Sequence, residues 1–445
     1  MTENALPITR RTFVQTSTAA AAALMFPSGV HAQGSDVIRV GVVGTGGRGT
    51  GAIGDILKSS EGVEIRALGD LNPDRLERSR SELDQMVKKD AALAAKYKSG
   101  FRVTGEHVYT GFDAYKKVLA SDIDLVILAT PPGFRPMHLA AAVAAGKHVF
   151  TEKPVAVDSV GIRSVLTTHD EALKKTLGIV AGTQRRHQAE YMEAIRRVHD
   201  GTIGDVLGGQ VYWNQGPLWN HPRQPNWSDT EWQIRNWLYF AWLSGDHIVE
   251  QHVHNIDVAN WVLGSHPVRA IAVGGRQQRT DPRYGHIYDH FGVDFEYPKG
   301  VHIISMCRQI QGTQNRIAES FIGPKGTFDT YQSIKITGAS AWTFQSQAKP
   351  VNPYVQEHTD LIASIRAGKP LNELKQVAES TLSAIMGREA AYTGQELTWE
   401  QVLKADLDLM PPKMEFGPLE VPPVAIPGVT RLNRKFNEGG SRPAA

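Results

Sequence analysis

The stretch Ile38-Arg39-Val40-Gly41-Val42-Val43-Gly44-Thr45-Gly46-Gly47-Arg48-Gly49 constrains this chain more than any other. A run of buried-strand character breaks into a turn in which Gly44, Gly46 and Gly49 keep the G-x-G-x-x-G spacing, and helical periodicity follows from about Thr50 to Ser59. Such a turn needs a positive φ at the first glycine, bare backbone beside a pyrophosphate at the second, and close helix-to-strand packing at the third. The helix start behind them offers unpaired N–H groups to phosphate. The next strand, Ile65-Arg66-Ala67-Leu68-Gly69-Asp70, ends in an acid placed to accept from ribose hydroxyls and to repel a 2′-phosphate. The pattern predicts a dinucleotide site built from Gly44, Thr45, Gly46, Gly47, Arg48, Gly49 and Asp70, with NAD preferred to NADP.

Ahead of this unit, Thr9-Arg10-Arg11-Thr12-Phe13-Val14 pairs two arginines with apolar residues, an alanine-rich run follows to Phe26, and Val30-His31-Ala32 suits signal peptidase. Residues 1–32 read as a twin-arginine signal peptide, with an apolar run too short for a good membrane span. That route exports folded protein through the Tat machinery, so a periplasmic location is expected, and an exported nicotinamide enzyme has to keep its cofactor. Lys plus Arg number 48 against 46 Asp plus Glu in 445 residues, which leaves no field that would favour nucleic acid or anionic lipid. Cys307 is alone, so no internal disulfide holds the fold.

Downstream, helical and strand periods alternate. Asn72–Tyr97 and Asp113–Ala120 read as helices, Ile123–Ala129 as a strand, Pro136–Ala145 as a helix closed by Gly146, and His148–Phe150 as the next strand. The alternation predicts a doubly wound parallel sheet, with ligands at the carboxyl ends of its strands, where Thr130, Glu152 and Lys153 fall. Thr130-Pro131-Pro132, His138, Gly146-Lys147-His148-Val149-Phe150 and Thr151-Glu152-Lys153-Pro154 together resemble the Gfo/Idh/MocA oxidoreductase family. The resemblance covers nearly all of the chain after residue 32. It implies that Thr130, Pro131 and His138 belong to the cofactor site, that Glu152 contacts the nicotinamide ribose, and that Lys153 lies beside the reacting alcohol or ketone. A lysine there is placed to accept or relay the alcohol proton.

The boundaries expected are 33–155 for the Rossmann domain, with a crossover helix and last strand over 156–185. Residues 186–408 form an α+β substrate and oligomerisation domain, and 409–445 a proline-rich tail. In the second domain the strands Val206–Trp213, Val268–Val273, Asp289–Tyr297, Val301–Cys307 and Ile317–Gly323 predict a largely antiparallel open sheet. Arg185 and Arg186 follow the last strand of the first domain, and the resemblance implies that one of them faces substrate. Six tryptophans crowd between Trp213 and Trp242, interleaved with asparagines that include Asn236. Flat indoles and amides suit a carbohydrate, so Trp213, Asn236 and Trp237 are candidate substrate contacts. In Asp246-His247-Ile248-Val249-Glu250-Gln251-His252-Val253-His254-Asn255-Ile256-Asp257, the acids and histidine four apart share a helix face. The resemblance implies that His254 is the general acid/base and that Glu250 orients it or the substrate. It also marks His252, where glycine is usual, as an extra polar contact. A metal is the weaker reading of this cluster, because no H-E-x-x-H order or cysteine accompanies it.

The function expected is an exported oxidoreductase moving hydride between tightly held NAD and a CH–OH group of a sugar, glycoside or cyclitol. A second carbonyl substrate or redox partner would reset the cofactor, and the open sheet points to a homo-oligomer. The alternatives are a glycosidase acting by transient oxidation and elimination, and a non-enzymatic sugar sensor.

Overall fold

The computed structural model describes residues 37–96, 103–345 and 351–438. The twin-arginine segment lies outside them. The first sheet has six parallel strands: β1 (Ile38–Val43), β2 (Val63–Asp70), β3 (Val108–Thr110), β4 (Leu125–Leu128), β5 (His148–Thr151) and β6 (Ile179–Ala181). They run in the order β3-β2-β1-β4-β5-β6. That order reverses direction between β1 and β4, which opens the crevice where doubly wound sheets bind dinucleotides. Helices α1 (Gly47–Ser59), α2 (Pro73–Lys89), α3 (Ala114–Ala120), α4 (Arg135–Ala144) and α5 (Ser159–Lys174) make the crossovers. The helical pattern expected over Asn72–Tyr97 is interrupted at Asp90, which caps α2 before a further turn at Ala91–Lys96.

After α6 (Ala189–His199) the chain builds nine strands: β7 (Gly208–Gln215), β8 (Arg269–Gly275), β9 (His290–Tyr297), β10 (Val301–Gln309), β11 (Arg316–Gly323), β12 (Gly326–Asp329), β13 (Lys335–Gly338), β14 (Trp342–Thr343) and β15 (Leu397–Thr398). All of their pairings are antiparallel except β7 with β10, which run parallel. The long excursion between β7 and β8 carries α7 (Asp229–Arg235), α8 (His247–Glu250) and α9 (Val253–Leu263), and it supplies the residues that reach back to the first sheet.

Two closing helices bind the layers together. On one face of the first sheet, Leu361 and Ile362 of α10 (Pro353–Arg366) join Val40, Val42, Ile53, Ile127 and Phe150 in one apolar core. The other face shares its core with the nine-stranded sheet through α11 (Leu374–Thr393), which is buried nearly all round, as a central helix must be. Arg388 of α11 donates to the carbonyls of Val157 and Gly245 and pairs with Glu389, which also holds Arg434 of the tail. Removing one partner from a buried charge group of this kind costs about 3–5 kcal/mol. The described part of the proline-rich tail is therefore pinned to the core at Arg434.

Candidate active site

The glycine turn folds as its spacing demands. Gly44 has φ +93°, and a Cβ on Gly49 would lie 1.9 Å from the Gly44 carbonyl oxygen. At Gly46 a Cβ would meet only the end of Arg75 at 3.6 Å, so packing within the protein does not require glycine there. What it leaves open is the wall of a cavity of about 850 Å³. Helix α1 begins at Gly47, three residues earlier than the periodicity suggested, with no side chain capping its first turn. Those amides are free for an anion. Asp70, at the end of β2, accepts from the Thr45 amide at 2.7 Å and hydroxyl at 3.2 Å, and from the Asn72 amide at 2.9 Å. It thus shapes the loop as well as lining the cavity. These residues fit a dinucleotide: Gly44–Gly47 and the start of α1 would hold its pyrophosphate, and Asp70 a ribose.

Thr130, Pro131 and His138 line the same cavity. His138 Nδ1 lies 3.1 Å from the Thr130 hydroxyl, and the ring packs on Tyr115. Burial, reinforced by Arg135, pushes its pKa down to about 3, so it is a neutral hydrogen-bond partner that fixes Thr130. Arg135, which the sequence pattern did not single out, is buried and donates to the carbonyls of Leu128 and Thr130, setting the end of β4. Arg48 and Glu152 meet at 2.5 Å. The Arg48 guanidinium also reaches Asp55 at 3.2 Å and Glu357 at 3.7 Å, and lies over the Tyr354 ring. Arg48 therefore positions Glu152 and ties the glycine turn to α10, a role invisible without knowing where α10 packs.

Lys153, just past β5, donates to the Glu250 carbonyl oxygen at 2.7 Å, and Glu250 Oε1 is 3.6 Å away. Glu250 Oε2 is buried without a hydrogen-bond partner. Burial raises the Glu250 pKa, and Lys153 offsets part of that rise. His254 is buried, stacks on Trp213 with ring centres 5.7 Å apart, and makes no side-chain hydrogen bond among the described residues. Burial first, then the charges of Lys153 and Arg185, pushes its pKa well below the usual imidazole value. The site therefore presents an enclosed ammonium, a carboxyl group with one free oxygen, and a neutral imidazole.

Several expectations are corrected. Glu250 and His254 do not share one helix: α8 ends at Glu250, α9 begins at Val253, and the bend at Gln251–His252 leaves the Glu250 carbonyl available to Lys153. Asp246, four residues before Glu250, caps α8 and accepts from the Tyr288 amide and the Tyr392 hydroxyl, so its carboxylate is engaged within the fold. His252 turns to Ser305, 2.7 Å away, and is fully buried. Arg186 is taken up by a two-pronged pair with Asp257 at 2.8 and 2.9 Å. Arg185 instead pairs with Glu319 and flanks Trp213, on the His254 side. Asn236 spends its amide on both backbone groups of His221, so it has nothing to offer a sugar. The tryptophans do not form one platform. Trp232 and Trp242 are core, whereas Trp219, Trp227 and Trp237 line the nucleotide cavity, leaving only Trp213 beside His254.

Residues 38–178 match the family described as "Oxidoreductase family, NAD-binding Rossmann fold", and residues 191–329 match the GFO/IDH/MocA C-terminal domain. The chain belongs to the Gfo/Idh/MocA oxidoreductase family. An inositol 2-dehydrogenase of Saccharopolyspora erythraea is 27% identical over 268 residues, covering 60% of this chain and 65%, just under two thirds, of that one. A glycosyl hydrolase family 109 protein of Shewanella baltica is 29% identical over 185 residues, 41% of this chain and 36% of its own. Among solved structures, scyllo-inositol dehydrogenase from Lactobacillus casei with bound NAD(H) and scyllo-inositol superposes with a TM-score of 0.61 at 20% identity, covering 82% of this chain and 99% of that one. This last likeness establishes the shared fold.

The ionisation pattern yields a prediction. Glu250 must be charged to pair with Lys153, and its raised pKa means that it takes up a proton above the ordinary carboxylate range as pH falls. The acid limb of kcat/KM should lie above pH 4.5 and flatten in Glu250→Gln, whereas an unchanged limb in that variant would remove Glu250 from the titration.

Proposed function

We propose that this protein oxidises a secondary alcohol of a sugar, glycoside or cyclitol, or reduces the matching ketone, using NAD that it retains between turnovers. The observation that carries this reading is the gathering of Lys153, Glu250 and His254 where β5 ends, next to Glu152, which Arg48 of the glycine turn holds. The inositol dehydrogenase relative and the inositol-bound structural neighbour support the substrate class. Bound NAD would supply the hydride acceptor.

Everything else falls to side chains. Arg48 holds Glu152, which would contact the nicotinamide ribose. Lys153, steadied by Glu250, donates to the substrate oxygen. His254, kept neutral by burial, has an unengaged imidazole that takes the hydroxyl proton in oxidation and returns it in reduction. The free Oε2 of Glu250 accepts from a neighbouring hydroxyl, which favours polyols over simple alcohols. Trp213 offers an apolar face beside the reacting carbon.

Export by the twin-arginine route to the periplasm is part of this reading, supported by the Arg10-Arg11 segment and the Ala32 cleavage site. Retained NAD then requires a second carbonyl substrate or a redox partner to reset it. Self-association is the remaining part. On the outer face of the nine-stranded sheet, Val273 is opposite Gly292, which is opposite Met306, which is opposite Tyr212. Val273 is 75% exposed there, and Ile271, Met306 and Ile322 are exposed with it. An apolar face of this kind is suited to a second copy of the chain. Light scattering should find an oligomer that Val273→Glu weakens; a wild-type monomer would remove this part of the reading.

The chemistry is tested with Lys153→Met. Turnover should fall roughly 10²–10⁴-fold while NAD still binds. Undiminished turnover overturns the mechanism, and release of a leaving group without net oxidation would favour the glycosidase alternative.

A further inference from the structure

The cavity beside the glycine turn has two walls that come from different parts of the chain. One is the nucleotide-binding sheet, through Gly44–Gly47, Asp70 and Asn72. The other is the excursion between β7 and β8, through Trp219, His221, Trp227, Arg235 and Trp237. Strand order fixes which half of a dinucleotide this second wall faces. Lys153 and Glu152 follow β5, on one side of β1, whereas Asp70, Asn72 and Phe112 follow β2 and β3 on the other. Arg235 of this wall bonds to Asp74, which follows β2, so the wall stands on the side of the second group, where a doubly wound sheet holds the adenosine half.

We propose that Trp219, Trp227 and Trp237 close over the adenosine half of the bound dinucleotide, and that Arg235 latches them there through Asp74. This inference rests on the nucleotide reading of the cavity and adds who holds the cofactor in. Arg235, at the end of α7, makes a two-pronged pair with Asp74 in the first turn of α2, at 2.9 and 3.0 Å. Its Nε donates to Glu231 at 2.9 Å, and its guanidinium lies 4.8 Å from the Trp227 ring centre. Behind the wall, Asn236 clamps both backbone groups of His221, and the Tyr239 hydroxyl donates to the Trp219 carbonyl at 2.8 Å. The tail adds a second fastening: Phe416 packs on Phe112, and Gly417 and Leu419 bond to Thr230 and Gln233.

This arrangement explains three observations that a sugar platform leaves unexplained. Asn236 has no free amide, because it fixes the loop. Trp219 is 40% exposed although its carbonyl is held by Tyr239 and its ring packs beside His221 and Trp237, which leaves part of the indole open to a flat partner. Arg235 reaches Asp74 in the helix after β2 and not the reacting end after β5. Stacking of a base on an aromatic ring favours the bound state. A latch that must open before the base can leave acts mainly on the release rate.

The test loads full-length protein with radiolabelled NAD and follows its loss into excess unlabelled NAD by rapid filtration, with no turnover involved. Wild type should release slowly. Arg235→Ala and Trp219→Ala should each release at least tenfold faster, and exchanging the charges in an Arg235→Asp, Asp74→Arg pair should restore slow release, which a merely unfolded variant would not do. Release unchanged in both single variants, from a wild type that binds NAD, overturns the latch and leaves the nucleotide site standing. A wild type that binds no NAD overturns both. If Trp219→Ala weakens sugar binding and leaves NAD release unaltered, the wall belongs to substrate and the proposal fails.

Discussion

The Lys153 ammonium donates to a carbonyl that lies 97 residues further along the chain, and the site depends on that reach. Lys153 belongs to the nucleotide-binding sheet and Glu250 to the excursion of the second domain, so neither domain alone presents the pair. The contact exists because the helical run stops at Glu250 and restarts at Val253, which leaves a carbonyl oxygen that an unbroken helix would have consumed. The bend is held from behind, where His252 meets Ser305 of β10 and Gln251 accepts from Gln215 and Gln309. A polar layer on the inner face of the nine-stranded sheet thus sets where the lysine sits.

Charge organises the other half of the site. Arg48 stands among Glu152, Asp55 and Glu357, and the fully buried Glu357 has its pKa raised well above the usual value, by burial first and then by Glu152. Neutral Glu357 avoids a second buried negative charge beside Glu152 and leaves Arg48 to serve the residue at the sheet's ligand edge. Helix α10 is the means: it covers α1 and carries Glu357 and Tyr354 to the guanidinium. The cofactor end of the protein is accordingly completed by residues some three hundred positions after the glycine turn.

What could be read in advance follows the range of the interactions involved. Gly44, Gly49 and Asp70 were legible because their reasons are local: a positive φ, a carbonyl 1.9 Å from a would-be Cβ, a strand end. The place of Lys153 just past a strand was legible from the apolar run before it, and the parallel sheet from alternating periods. Side chains whose partners are distant were not. Arg186 and Arg185 look alike in sequence, and only Asp257 and Glu319 separate a structural arginine from one beside His254. Asn236 resembled a sugar contact until His221 was seen to use both ends of its amide. The break at Gln251–His252 carries no proline or glycine to announce it, and the short strands β3 and β12–β14 exist only by pairing with neighbours.

Passage of hydrogen from a polyol carbon to the dinucleotide at the Lys153 end of the sheet is the step on which the proposed function stands. The decisive measurement incubates the NAD-loaded protein with hexoses and inositols deuterated on their ring carbons, then recovers the dinucleotide by denaturation and weighs it. Gain of one deuterium by the nicotinamide ring from at least one of these sugars is the predicted result. A dinucleotide that stays unlabelled with every hexose and inositol, while the protein binds both partners, would contradict it.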